Sequence, residues 1–103
     1  MAVADSLGDL QPCNPRARIF PLAWKEAYFR LNFNSELNGY VCPICCRVFR
    51  GTKGFKELKA DHRHPYSKGG LTVWNNLQLL CLRCNATKSV APNLFPYPQL
   101  WEQ

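Results

Sequence analysis

Two Cys-x-x-Cys pairs bracket a segment rich in groups that can bind a cation or move a proton. The pairs span Cys42–Cys45 and Cys81–Cys84, and the sequence between them reads Asp-His-Arg-His at positions 61–64. Two short-spaced cysteine pairs commonly converge on one zinc ion and fill its four tetrahedral positions. The carboxylate, the imidazoles and the amide of Asn85, directly after the second pair, are then left for other chemistry. The residues therefore predict a structural zinc site beside a separate site for a hard cation and a general base.

The predicted zinc ligands are Cys42, Cys45, Cys81 and Cys84. Cys46 is an alternative to Cys45, although the spacing of Cys42 and Cys45 matches that of the second pair. Cys13 has no predicted role. The 35 residues between the pairs exceed the roughly 15–20 of a zinc ribbon, which indicates a functional insert. A redox dithiol protein is a further alternative, but two distant pairs without a redox-type fold pattern favour zinc.

The positive charge of the chain is concentrated on the unit that the cysteines frame. The net charge is +6, and residues 41–90 hold nine Lys or Arg residues against only two acidic ones. A basic surface of this kind suits a polyanion, and nucleic acid is the commonest such partner. The alternative is a solvated basic surface that only aids solubility, and charge alone does not decide between the two.

Length and hydropathy restrict the class of protein. A chain of 103 residues makes one domain with a small core, which a bound zinc ion would help to stabilise. There is no apolar run long enough to cross a membrane, and the first residues do not resemble a signal peptide. We therefore expect a cytoplasmic protein without a membrane partner, in a compartment where paired cysteines bind metal more often than they form disulfides.

The residues beside the cysteines suit phosphodiester hydrolysis. Asp61 supplies a hard oxygen ligand and Asn85 a second oxygen, as a magnesium-like cation prefers. His62, with a pKa near neutrality, can activate a water molecule. A cation can stabilise the charge on phosphorus and on the leaving oxygen. A zinc ion bound to Cys84 would fix the position of the Asn85 amide, because Asn85 is the next residue in the chain.

The pattern of apolar residues predicts the elements that position these groups. Apolar residues at spacings of three and four predict a helix over 21–36, packing on the zinc-framed unit. Short strands are predicted at 48–50, at the end of 55–62 and at 77–80. Turns or loops are predicted at 51–54 and 65–70, and a helix at 85–90. The chain thus divides into an irregular lead-in (1–18), the helical segment (19–40), the core (41–91) and a proline- and aromatic-rich tail (92–103), which we expect to pack back onto the body.

A longer pattern carries a family resemblance. It reads Asp-His-x-x-Pro-x-Ser-x-Gly-Gly from Asp61, then Asn-Leu-Gln-Leu-Leu-Cys-x-x-Cys-Asn-x-x-Lys from Asn76. This pattern resembles the HNH endonucleases over about residues 41–89, and is especially similar to phage junction-resolving endonucleases. The resemblance implies a small α+β fold, a ββα-metal finger framed by two zinc knuckles, with the N-terminal helix packed on it.

The resemblance also implies the roles of individual residues. His62 would be the general base, and Asp61 and Asn85 would hold a catalytic Mg²⁺, Mn²⁺ or similar divalent ion. Asn76 matches the central asparagine that braces the loop. His64 would face the same side of an extended strand as His62. It is therefore left open as a metal ligand, a phosphate contact or a structural residue in the loop.

The implied activity is metal-dependent hydrolysis of DNA in a bacterial or phage-encoded protein. Six basic residues are candidate DNA contacts: Arg47, Arg50, Arg63, Lys68, Arg83 and Lys88. The alternative is a non-catalytic zinc-knuckle module that binds nucleic acid by charge, but such a module has no need for the Asp, His and Asn residues. Sequence specificity, nicking or double-strand cutting, and the choice between a homodimer and a separate targeting partner are not predicted.

Overall fold

The computed structural model describes residues 12–90. The helices of this range are α1 (Leu22–Leu31), α2 (Gly51–Lys56) and α3 (Leu82–Val90). The strands form two antiparallel pairs, β1 (Tyr40–Val41) with β2 (Val48–Phe49) and β3 (Leu58–His62) with β4 (Leu77–Cys81). The predicted small α+β fold is confirmed. The predicted tail (92–103) and the first part of the predicted lead-in lie outside the described residues.

The centre of the fold is the β3–β4 hairpin, which runs directly into α3. Leu58 pairs with Cys81 at one end of the hairpin, and His62 pairs with Leu77 at the other. Every residue of β4 is buried, as expected for a strand that is covered on both faces. Because α3 begins at Leu82, immediately after β4, the strand fixes where the helix starts. This is the predicted ββα arrangement.

Helix α1 packs on β4 with the apolar face that the sequence predicts. Trp24 and Tyr28 are buried, as is Phe20 just before the helix. The predicted end at residue 36 is wrong, since α1 ends at Leu31. The side chain of Asn32 donates to the carbonyl oxygen of Tyr28 over 3.0 Å. Asparagine competes in this way for backbone groups that a continuing helix would use.

The predicted turn at 51–54 is also wrong, because these residues form the start of α2. Gly54 permits a close contact between this helix and strand β2. A β-carbon at Gly54 would lie 2.6 Å from the carbonyl carbon of Phe49. Glycine is therefore required here for packing and not for a turn, a distinction that a Gly-x-x-Gly pattern alone does not make.

Residues 14–20 lie across the loop between β3 and β4, and we call them the N-terminal strap. The strap has no regular secondary structure. The backbone N–H of Thr72 donates to the carbonyl oxygen of Pro15 over 2.7 Å. The hydroxyl of Tyr66 donates to the carbonyl oxygen of Arg16 over 3.1 Å. The irregular segment is thus held on the loop that follows β3.

None of the helices between residues 12 and 90 has both the length and the apolar character needed to cross a membrane.

Candidate active site and metal centre

The four predicted cysteines converge. The Sγ atoms of Cys42, Cys45, Cys81 and Cys84 all lie within 4.8 Å of one another. The Sγ atoms of Cys45 and Cys81 are 3.8 Å apart. Zinc–sulfur bonds of about 2.3 Å in a regular tetrahedron require sulfur–sulfur distances of about 3.8 Å. The cluster is therefore compatible with a zinc ion whose four positions are all filled by protein.

The first knuckle selects Cys45 over Cys46. The backbone N–H of Cys46 donates to the carbonyl oxygen of Cys42 over 2.8 Å, which closes the turn. Cys46 has a positive φ of 65° and an exposed side chain outside the cluster. Cys45 thus joins the cluster, as the matched spacing of the two pairs predicts.

Local hydrogen bonds prepare two of the thiols to bind metal as thiolates. Burial raises the pKa of Cys45, but hydrogen bonds from the side chain and backbone of Arg47 outweigh it and lower the pKa to about 6. The pKa of Cys81 is lowered as well. Burial raises it, but hydrogen bonds from the backbone N–H of Cys84 and the side chain of Arg47 outweigh that effect. Burial raises the pKa values of Cys42 and Cys84. A metal ion would favour the thiolate form of all four.

The second predicted site lies where β3 ends. Asp61 accepts hydrogen bonds from three side chains on β4 and α3. Its Oδ2 lies 2.9 Å from Nε2 of Gln78 and 2.5 Å from Nζ of Lys88, and its Oδ1 lies 3.3 Å from Nδ2 of Asn85. The structure therefore brings Asp61 and Asn85 together as the sequence predicts.

Lys88, a candidate DNA contact from the sequence, has a buried side chain. Its side chain is only 6% exposed. Besides the ion pair with Asp61, its Nζ donates to the carbonyl oxygen of His62 over 2.7 Å. Lys88 thus joins α3 to the last two residues of β3. A lysine on the solvated face of a helix and a buried one look the same in sequence.

His62 is buried and held on several sides. Its Nε2 lies 2.7 Å from Oγ1 of Thr72, and its ring centroid lies 4.4 Å from that of Phe20. Burial lowers the pKa of His62; Asp61 opposes this effect, while Lys88 and Arg18 add to it. The lowered pKa favours the neutral imidazole, which is the form that a general base requires.

His64 does not share the position of His62. Strand β3 ends at His62, so the chain beyond it is no longer extended and the alternation of sides stops. Nε2 of His64 lies 3.0 Å from the carbonyl oxygen of Lys68, and its Nδ1 is buried without a hydrogen-bond partner. These contacts tie the side chain of His64 to the loop between β3 and β4.

Asn76 braces the same loop. Its Oδ1 accepts a hydrogen bond from the backbone N–H of His64 over 2.7 Å. Its Nδ2 donates to the carbonyl oxygens of His64 and Leu71 over 3.1 and 2.9 Å. The side chain therefore ties both ends of the loop to each other and makes no contact with Asp61, which fits the bracing role implied by the family resemblance.

A cleft of about 360 Å³ opens beside the two site residues. Its lining consists of Arg18, Asp61, His62, Pro65, Tyr66, Ser67, Lys68 and Lys88. Basic side chains outnumber the one carboxylate in this lining, so the cleft suits an anionic group. Among the predicted DNA contacts, Lys68 and Lys88 line this cleft.

The other predicted DNA contacts lie elsewhere. Arg63 is half-buried, and its guanidinium donates to the carbonyl oxygen of Leu77 and to the hydroxyl of Tyr28. Arg47 and Arg50 line a groove beside α2, and Arg83 lines one beside the cysteine cluster. The structure thus does not collect the six basic residues on one cleft.

Two residues near His62, Thr72 and Arg18, could not be recognised from the sequence. Thr72 lies between the predicted loop at 65–70 and the predicted strand at 77–80, and Arg18 lies in a segment read as an irregular lead-in. Arg18 places its guanidinium carbon 5.4 Å from the ring centroid of Tyr66, beside the cleft. A single Arg or Thr outside a motif has no spacing that could have indicated these positions.

The fold and the two sites define a small α+β protein in which four clustered cysteines frame a ββα unit. Residues 42–90 match the family model of the HNH endonucleases. The match begins at the first cysteine of the cluster and ends with α3. Residues 42–90 are thus similar to an HNH endonuclease domain, and this similarity suggests a nuclease or nucleic-acid-related function. No curated protein and no solved structure matches the chain.

Proposed function

We propose that this protein is a divalent-metal-dependent endonuclease that hydrolyses DNA phosphodiester bonds in the cleft beside His62. One observation carries the proposal. Asp61 and His62 end strand β3 beside a basic cleft, and Asn85 lies 3.3 Å from Asp61. A carboxylate, an amide and a neutral imidazole are the groups that metal-assisted hydrolysis of a phosphodiester needs.

His62 acts as the general base. Its imidazole takes a proton from the attacking water, whose oxygen then bonds to phosphorus while the bond to the leaving oxygen breaks. The lowered pKa keeps the ring ready to accept that proton at neutral pH. Phe20 and Thr72 hold the ring in place, so little orientation is lost when substrate binds.

Asp61 and Asn85 are the residues that would hold the catalytic cation, Mg²⁺ or Mn²⁺. The Asn85 amide faces Asp61 through its nitrogen, and a half-turn of the amide would present oxygen instead. When bound, such a cation stabilises negative charge on the phosphoryl group and on the leaving oxygen. Two protein oxygens and a substrate phosphate match the preferences of Mg²⁺, which keeps several waters.

The cysteine cluster serves as a structural zinc site in this proposal. Cys84 is the last ligand of the cluster, and Asn85 is the next residue of α3. Zinc binding therefore fixes the start of the helix that presents the amide and, one turn later, Lys88. With four thiolates bound, the zinc ion has no position for water, so its contribution is to stability and geometry.

Arg18 and Lys68 are placed to bind the DNA backbone, because both line the cleft that contains His62. Contacts of this kind hold phosphates in position but carry no sequence information. We therefore expect weakly specific cutting, unless a partner protein or a second copy of the chain selects the target.

Cleavage of supercoiled plasmid tests the proposal. The wild-type protein should nick or cut the plasmid with Mg²⁺ or Mn²⁺, and mild chelation with EDTA should stop cleavage before zinc is lost. Restoring Mg²⁺ should restore cleavage. Zinc content, measured on the same samples, controls for loss of the fold.

Binding without cleavage would overturn the proposal. If the zinc-loaded protein shifts DNA in a gel but cuts none with any divalent ion, the non-catalytic zinc-knuckle alternative is correct.

A further inference from the structure

Thr72 connects the proposed base to the N-terminal strap. The side chain of Thr72 is fully buried, and its Oγ1 lies 2.7 Å from Nε2 of His62. The same hydroxyl donates a hydrogen bond to the carbonyl oxygen of Ala17. A buried hydroxyl needs such partners, since an unpaired one costs free energy of folding. The three groups therefore form one chain from the imidazole to the strap.

This chain determines which ring nitrogen of His62 carries the proton. A hydroxyl has one hydrogen to donate, and a carbonyl oxygen can only accept. Because the proton of Thr72 is used on Ala17, the contact with His62 requires Nε2–H as the donor. In a neutral imidazole the lone pair is then on Nδ1. Nδ1 is thus the nitrogen left to accept a proton from water.

The strap is itself fixed at three successive carbonyl groups. Those of Pro15 and Ala17 accept hydrogen bonds from the backbone and side chain of Thr72, and that of Arg16 accepts one from Tyr66. Phe20, at the end of the strap, packs against the imidazole with a centroid distance of 4.4 Å. The strap therefore holds the ring through both a hydrogen bond and a packing contact.

We propose that Thr72 is a positioning residue that sets the tautomer and orientation of His62 through the carbonyl group of Ala17. This role of Thr72 rests on the proposed function in one respect, that His62 is the general base. It deepens that function, because residues 14–20 lie outside the HNH match at 42–90. Part of the active site is thus supplied by a segment that the family match does not cover.

The substitutions Thr72→Val and Thr72→Ser distinguish the hydrogen bonding of the Thr72 hydroxyl from the packing of the side chain. Valine keeps the shape of the side chain but leaves Nε2 of His62 without its acceptor. Serine keeps the hydroxyl and loses only a methyl group. We expect Thr72→Val to lower kcat for plasmid cleavage by about 10- to 100-fold, the loss typical when a histidine loses the partner that orients it. KM for DNA should be unchanged, and Thr72→Ser should retain most of the wild-type kcat.

Nitrogen-15 NMR of labelled histidine reads the tautomer directly, without DNA. The chain contains only two histidines, so a His64→Gln variant leaves the His62 signals alone in the spectrum. In that background the spectrum should show a protonated Nε2 and an unprotonated Nδ1. Adding Thr72→Val should change this pattern, and adding Thr72→Ser should preserve it.

Three results would overturn the proposal. The first is a protonated Nδ1 in the neutral ring when Thr72 is present. The second is a Thr72→Val variant with the wild-type tautomer and kcat. The third is a Thr72→Ser variant as impaired as Thr72→Val, which would assign the effect to packing. A protein that shows the expected tautomer but cuts no DNA overturns the proposed function and leaves the role of Thr72 in setting the tautomer supported.

Discussion

The cysteine cluster and the His62 cleft are built differently. The cluster takes four cysteine side chains from two Cys-x-x-Cys segments, and their sulfur atoms converge within 4.8 Å. The cleft takes unlike side chains from β3, β4, α3, the loop and the strap. Four identical ligands in two equally spaced pairs can be recognised from short stretches of sequence. A site of unlike groups depends on the whole fold.

The two regions also differ in what their contacts leave available. The four cysteines of the cluster would fill every position of a tetrahedral zinc ion and leave none for substrate. In the cleft, an open volume borders a carboxylate and an imidazole. In the proposed function the cluster contributes stability and the cleft contributes chemistry, and the Cys84–Asn85 peptide bond joins them.

Loss of a cluster ligand should have the largest effect. Cys81→Ser removes a buried sulfur that Arg47 and the backbone of Cys84 also contact. Structural zinc supplies on the order of 10 kcal/mol in isolated modules, so the fold should be largely lost. Zinc content and Tm would measure the effect.

The matched control for this change is Cys46→Ser, because Cys46 is exposed and outside the cluster. It should keep zinc and Tm at the wild-type values. Full zinc occupancy with an unchanged Tm in Cys81→Ser would refute the structural role of the cluster.

Replacement of the base should remove activity without removing the fold. His62→Ala should lower kcat for plasmid cleavage by roughly 10²- to 10⁴-fold, the usual contribution of a general base. DNA affinity and zinc content should stay near wild type, since neither site loses a ligand. Single-turnover cleavage and a binding titration would show the separation.

His64→Gln is the matched control, because it changes the same residue type two positions away. His64 contacts Lys68 and not the groups around Asp61, so this variant should still cut DNA. Equal rates for His62→Ala and wild type would remove His62 from the mechanism.

The Lys88–Asp61 ion pair tests whether residues of the cleft also contribute to the stability of the fold. Lys88→Met keeps an apolar stem and removes the ammonium group from a carboxylate that is 15% exposed. Breaking a buried pair typically costs 3–5 kcal/mol, so we expect a loss of about 3 kcal/mol at neutral pH. Urea denaturation of the zinc-loaded protein would measure it.

The double variant Asp61→Asn with Lys88→Met removes both charges. It should recover part of the lost stability, since no unpaired charge is then buried. Equal stability of wild type and Lys88→Met would mean that the pair contributes nothing and that the cleft is separate from the stability of the fold.

Arg18→Gln should have the smallest effect. Arg18 lines the cleft but is exposed, so its removal should leave Tm unchanged. DNA affinity should fall, and the slope of log K against log salt should drop by about one, as for one lost phosphate contact. The control is Arg63→Gln, whose guanidinium binds Leu77 and Tyr28 and whose loss should lower Tm instead. An unchanged salt slope in Arg18→Gln would exclude Arg18 from DNA binding.

Some features of the site could be predicted because they depend on short stretches of chain. The spacing within each cysteine pair predicts a converging turn, and Asn85 follows a ligand by one residue whatever the rest of the fold does. Strand β4 is a run of apolar residues between turn signals, which predicts a buried strand. The strand predicted at the end of residues 55–62 also ends at His62 in the structure.

Other features could not be predicted, because they depend on where an element stops. His64 was expected on the same side of an extended strand as His62, but β3 ends at His62, and the side chain of Asn76 makes hydrogen bonds with the backbone of His64 in the loop. Gly54 was read as a turn residue and instead allows helix α2 to approach Phe49. In both cases a contact distant in sequence overrides the local pattern.

The sequence by itself determined the ligands of the cluster, the order of the ββα elements and the candidates Asp61, His62 and Asn85, because equal spacing and adjacency survive any packing. Only the tertiary structure decided that Lys88 is buried on Asp61 and that Thr72 joins His62 to Ala17. The last of these contacts spans 55 residues. Nothing in the neighbourhood of either residue signals such a contact, since it is made only when the strap and the loop meet.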